Sequence, residues 1–136
     1  MNNLYAFLHP ETPEQKEVVF NRFKDEQGNV VPLVIKPISA EENAAIIKRC
    51  TVTTKDRGEN KRVDSAKYQA SIIVAGTVVP DFSDEKLCEA YGTMDPEEVP
   101  AKMLLAGEFM KIVTEILSLS GLSDAAAEED MEEAKN

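Results

Sequence analysis

Two β-rich runs, Val18–Phe23 and Val30–Ile38, flank a polar stretch holding Gly28 and Asn29. That layout predicts a β-hairpin over residues 17–38, with Gly28 free to take the positive φ that a short hairpin loop demands. On the second strand Val31, Leu33 and Ile35 share the face expected to enter the core, while Val34 and Lys36 face away. Pro32 has no N–H to give to a ladder, so this strand is expected to have a free edge. A hairpin alone is marginal in water, and the helices that follow have to cover it.

After the hairpin the apolar period changes from two to 3.6. Pro37 holds Lys36 extended, and Ser39 with Glu42 has the spacing of a capping box. A first helix is expected from Ala40 to Cys50, with Ala44, Ile46, Ile47 and Cys50 as its apolar stripe. The polar stretch Thr51–Arg62 reads as a mobile loop. A second helix is expected from Asp64 to Val79, capped by Asp64 or Ser65 and stopped by Pro80. Its wide apolar face, with Tyr68, Ile72, Ala75 and Val79 beside Ile73 and Gly76, marks it as the central core helix. Ser83 is expected to cap a short third helix, which Gly92 ends. Asp95 and Pro96 look like a cap and first position for a short segment, Val99 to Leu105, interrupted by Pro100. The last firm helix is expected from Gly107 to about Ser120, with Phe109, Ile112, Val113, Ile116, Leu117 and Leu119 inward or shared and Gly121 as terminator.

The fold class is therefore α+β and mostly helical, a hairpin packed on about four to five short helices. Its 136 residues suffice for one domain with a modest core, over residues 1–122. This comprises an apolar segment at 1–16, the hairpin at 17–38 and helices at 39–122. Residues 123–136 form an acidic tail, expected to be flexible, with six acids against Lys135. Conversely, residues 48–67 hold seven cations and three acids, so the chain is dipolar. One reading of that asymmetry is an oligomer in which the cationic stretch meets the tail of a neighbouring copy. A net charge of −10 argues against nucleic acid, because phosphate binding rests on clustered cations. No apolar run is long enough for a membrane span and no signal-peptide pattern follows Met1, so a cytosolic protein is expected.

Catalytic chemistry has little to work with. His9 stands near the start beside a proline, with no nucleophile elbow elsewhere. Phosphate-binding glycine loops, EF-hand spacing and clustered metal ligands are all missing. Cys50 and Cys88 read as reduced, partly buried thiols; a thiol-dependent enzyme would require one of them to be reactive. Glu41/Glu42 and Glu97/Glu98 stand at helix starts, where they offset the macrodipole. The expectation is a protein that is not an enzyme, needs no cofactor or metal, and works by binding.

Several stretches in one order resemble a known family. Arg22–Asn29 (RFKDEQGN), Lys36–Asn43 (KPISAEEN), Lys48–Thr51 (KRCT), Val78–Leu87 (VVPDFSDEKL), Ala90–Met94 (AYGTM) and Met103–Phe109 (MLLAGEF) look like the XkdN-like tail assembly chaperones of long-tailed phages and prophages. The resemblance runs from about Leu4 to Asn136; the Thr51–Arg62 stretch and Pro100 depart from it. It implies a protein of the host cytoplasm that binds the tape measure protein, keeps it in solution, helps recruit tail tube subunits and is absent from the finished virion. It also implies a longer form made by ribosomal frameshifting, and Ala134-Lys135-Asn136 can be encoded by a slippery run of adenines.

A partner with exposed apolar stripes needs an apolar groove, and two clusters are candidates. The first is Leu4, Tyr5, Phe7 and Leu8, spaced for one or two helical turns, which could instead close as a lid over the hairpin. The second is Met103, Phe109 and Met110, where flexible Met side chains would suit varied partners or else fill gaps in the core. The competing function is a minor structural protein of the tail, a connector or completion subunit.

Overall fold

The structure is a computed structural model that describes residues 3–55, 58 and 60–122. The element order is α1 (Leu4–Leu8), β1 (Lys16–Val18), β2 (Leu33–Ile35), α2 (Ala40–Cys50), β3 (Thr51–Thr54), β4 (Asn60–Val63), α3 (Ser65–Gly76), β5 (Thr77–Val79), α4 (Glu85–Ala90), α5 (Val99–Met103) and α6 (Ala106–Leu119). A 3-10 turn, Pro96–Glu98, leads into α5. The class is α+β as expected. The acidic stretch 123–136 lies outside the described residues.

The hairpin forms, but its ladder is short. β1 pairs antiparallel with β2, Lys16 opposite Ile35 and Val18 opposite Leu33. The chain between them narrows again at a single bridge, Lys24 to Val30, and turns at Gly28 with φ +85°. Asp25 fastens this turn by accepting from the amides of Gln27 and Asn29, both at 2.9 Å. Leu33 and Ile35 are buried as expected, while Val31 is exposed, because it belongs to the outer loop and not to the sheet.

The expected free edge beside Pro32 is a correction. Pro32 precedes the strand, and β2 is the middle strand of a three-stranded sheet of order β1-β2-β5. Residues 77–79, read as the end of a helix, supply the third strand. Three consecutive β-branched residues favour an extended chain, and pairing with β2 outcompetes another helical turn. A register shift opposite Val34 and Ile35 accommodates the join. A second correction concerns Thr51–Arg62, which is a hairpin of its own. β3 and β4 pair from Thr51–Val63 to Thr54–Asn60. Its β-branched T-V-T-T run carried the signal, which polarity concealed.

Local capping sets the helix starts. Ser39 and Glu42 complete the predicted box on α2, and Asp64 caps α3. Asp84, not Ser83, caps α4; Ser83 donates to Asp81 instead, through its amide at 3.0 Å and its hydroxyl at 2.6 Å. Those two bonds hold the Asp81 carboxyl below the usual carboxylate range. Asp95 caps the 3-10 turn as expected, and α6 ends before Gly121, which has φ +86°.

Against α3 pack α2, α5 and α6. Its Ile72 and Ile73 meet Ile35 of the sheet and Ile112 and Ile116 of α6 in one buried cluster. The tightest point is Gly76, where an added Cβ would stand 2.6 and 2.8 Å from atoms of Ile116. The Gly76 carbonyl also accepts from Lys36 N at 2.8 Å, so one residue joins helix, sheet and opposing helix. The next residue, Thr77, carries a buried hydroxyl that has no partner among the described residues.

Arg22, in the hairpin's outer loop, ties that loop to the α5–α6 junction. Its guanidinium donates to both oxygens of Glu108 and to the Met103 carbonyl at 2.8 Å. Glu108 in turn accepts from the Leu105 amide at 2.8 Å, one of the donors that the start of α6 leaves free. The Arg22 hydrogen bonds draw the Glu108 carboxyl below its ordinary range and raise Arg22.

Three outcomes follow from this packing. Gly76→Ala should lower unfolding free energy by about 1–3 kcal/mol, the usual cost of overpacking a filled core. Paired with Ile116→Ala in chemical denaturation, it should cost less than the sum of the single changes. Thr77→Val, which keeps the shape and removes the unpaired hydroxyl, should leave stability unchanged or raise it by about 1 kcal/mol. Glu108→Gln should destabilise the protein at neutral pH. Because the folded Glu108 pKa is depressed, its contribution is present above the unfolded value of about 4.3 and lost as pH falls through the folded one. The gap between wild type and Glu108→Gln in thermal melts should therefore close below about pH 4; a gap that stays constant down to acid would contradict the pairing.

Candidate functional site

The N-terminal cluster forms the helix α1, and none of its residues is buried. Leu4, Tyr5, Phe7 and Leu8 are 52%, 72%, 80% and 64% exposed, so the segment does not close as a lid over the hairpin. Solvation of four large apolar side chains within five residues is unfavourable, and such clusters mark contact surfaces. Tyr5 and His9 stack with ring centroids 4.2 Å apart, and His9 Nδ1 lies 3.1 Å from the Tyr5 carbonyl. A carbonyl only accepts, so that nitrogen carries the proton. His9 thus finishes α1 as a local cap. Residues 9–15 are exposed and belong to no helix or strand, which sets α1 apart from β1.

The second cluster divides. Met103, a candidate for partner contact, is 7% exposed and belongs to the core. It fills the gap where α5 turns into α6, and its carbonyl is held by Arg22. Phe109 is half-buried, packed on the core through part of its ring. Met110 is 47% exposed. Phe109 and Met110, with Ala101, Leu104 and Ala106, line a shallow apolar groove of about 320 Å³. Leu105, also exposed, stands at the same junction.

A further apolar groove of about 250 Å³ escaped the sequence reading. Phe23 and Val31 from the outer loop face Val79 and Pro80 at the end of β5, with Leu87 of α4 and its C-cap Tyr91 beside them. The sequence pattern points elsewhere, with Val31 expected in the core and Val79 at the end of a helix. Arg22 lies 4.4 Å over the Phe23 ring, so the ion pair to Glu108 also steadies one wall of the groove.

Both thiols are buried. Cys88 Sγ donates to the Phe82 carbonyl at 3.3 Å, and Cys50 Sγ lies 3.7 Å from Ser71 Oγ. Each sits among core side chains instead of beside a base. Among the described residues no group of three or more His, Cys, Asp or Glu side chains is placed to hold a metal ion. Nor is any helix among them long and apolar enough to cross a membrane. What the surface offers chemically is apolar contact area bordered by charge.

Comparison with known proteins gives one consistent answer. The sequence model of the family described as phage XkdN-like tail assembly chaperone protein matches residues 4–135. Among individual relatives, the phage-like element PBSX protein XkdN of Bacillus subtilis (strain 168) is 36% identical over 141 aligned positions, covering 98% of this chain and 94% of the relative. YqbN of the same organism, described as an uncharacterized protein, is 37% identical, covering 97% of this chain and 91% of its own length. The crystal structure of YqbN superposes with a TM-score of 0.70 at 31% identity, over 89% of this chain and 98% of that one. The match spans the hairpin, the helices and both apolar grooves, and on it the chain belongs to the phage XkdN-like tail assembly chaperone family.

Proposed function

We propose that this protein is a tail assembly chaperone that binds the tape measure protein of its phage or prophage, keeps it in solution and assists assembly of the tail tube. It acts by binding alone, without catalysis, in the cytoplasm of the bacterial host, and leaves before the virion is complete. Family membership supports the tail-assembly role. The observation that carries the choice of partner is α1, whose four large side chains are all exposed. A long helical partner with apolar stripes presents the surface that such a segment can cover.

The contact is assigned to Leu4, Tyr5, Phe7 and Leu8, with Met110 and the exposed edge of Phe109 as a second patch. Tail tube protein and a frameshift-extended form of this chain are further partners on the same reading.

Co-expression with a tape measure fragment tests it. The fragment should pellet when made alone and stay in the supernatant, bound, when made with this protein. Phe7→Ser combined with Leu8→Ser should weaken binding at least about tenfold, since each large apolar side chain contributes more than 1 kcal/mol when buried. Their exposure in the free protein should leave its melting temperature nearly unchanged. Unaltered binding by this variant would remove α1 from the interface. Recovery of the protein as a stoichiometric part of purified particles would overturn the chaperone role in favour of a structural subunit.

A further inference from the structure

The β3–β4 ribbon is the part of the fold that the core does not explain. All four residues of β4 are exposed, and among the described residues the two strands pack extensively only on each other. A two-stranded ribbon uncovered on its faces is marginal in water. The described cations on it and at its root, Lys48, Lys55, Lys61 and Arg62, are exposed and have no ion-pair partner among the described residues. Among the described residues three ion pairs form: Lys16–Glu115 and Arg22–Glu108 lie elsewhere, and Arg49–Glu97 takes up a cation beside the root.

We propose that this ribbon is a dock for an acidic peptide, and that its occupant is the chain's own segment 123–136, bound within the same molecule. The segment carries Asp124, Glu128, Glu129, Asp130, Glu132 and Glu133 against one lysine. Its starting point is fixed by Ser120, whose hydroxyl accepts from Ile38 N at 2.9 Å, just before α2 begins. The ribbon starts where α2 ends, and a helix of 11 residues is about 16 Å long. The six residues from Leu122 to Glu128 reach about 20 Å when extended. The first run of acids is therefore within reach of the ribbon. Exposed ion pairs are individually weak and screened by salt. A few of them do not hold separate molecules together at micromolar concentration, whereas a short tether raises the local concentration to about millimolar. That difference selects contact within one chain over contact between copies.

Trypsin cleavage between Lys55 and Arg62 reads the occupancy in the full chain. At about 0.02 M salt the wild type should be cut about threefold or more slowly than E128Q/E129Q/D130N/E132Q/E133Q, which keeps the length and loses the charge. The two rates should converge at about 0.5 M salt, and the protection should not change with protein concentration. Backbone amide shifts of Val52, Thr53, Lys61 and Arg62 should move with the same substitutions. Equal cleavage and unmoved shifts at low salt overturn the proposal. Protection that grows with protein concentration overturns it too, because the occupant is then a second copy. No partner protein is present, so either result is independent of the tape measure reading.

Discussion

The approach of α3 to α6 at Gly76 is the contact on which the rest of the structure depends. With no Cβ there, Ile116 of α6 lies directly on the α3 backbone. The Gly76 carbonyl accepts from Lys36 at that level, fixing β2 against the end of α3. β5 begins at the following residue and closes the sheet on the other side of β2. Helix packing, helix termination and sheet closure are thus settled within two residues. A close-packed interior leaves no slack to absorb a methyl group at such a point. The Thr77 hydroxyl is a by-product: the backbone path that seats the strand puts a polar atom where no partner among the described residues reaches.

Much of this arrangement was legible from local chemistry. The capping box at Ser39 and Glu42, the cap at Asp95 and the stop at Gly121 are each written within four residues, and each forms as read. So is the inward face of the last helix, where Ile112, Val113 and Ile116 are buried. The failures share a cause. Residues 77–79 continue a helical apolar pattern but become a strand because β2, some forty positions earlier, offers a ladder. Val31 alternates correctly with Leu33 and Ile35, yet lies in a loop whose geometry depends on Arg22 reaching Glu108. Nothing within a short window announces either partner. The Thr51–Thr54 strand failed differently: a polar ribbon open to solvent lacks the apolar alternation by which a half-buried strand is recognised.

The same division applies to the surface. Leu4, Tyr5, Phe7 and Leu8 were legible as a sticky cluster because four large apolar side chains in five residues exceed what so short a helix can bury in itself. Met103 and Met110 were not separable, since residue type alone does not distinguish a methionine that fills a gap from one that faces solvent. Their positions on α5 and α6 decide it. Met103 lies under the Arg22 clamp, and Met110 is one residue past Phe109 on the outer side. The groove between Phe23 and Tyr91 required tertiary structure to exist at all, because its walls come from four parts of the chain: the hairpin, the end of β5, α4 with its cap, and Met103 of α5.

A five-residue helix is far below the length at which hydrogen bonding alone sustains helicity in water. Four exposed apolar side chains do not supply the missing support, since in the free protein they face solvent. In the proposed role a partner surface would supply it by covering them, and part of the contact free energy would go into ordering α1 instead of into affinity. On the proposed function that loss is useful. A chaperone that must surrender its client to the tail tube needs a broad apolar contact held only moderately tightly. A rigid helix packed on the core would have bound the same stripe more firmly and released it more slowly. Separation of α1 from the core by the exposed residues 9–15 also confines that ordering to the arm. The packing around Gly76 need not change when a client binds or leaves.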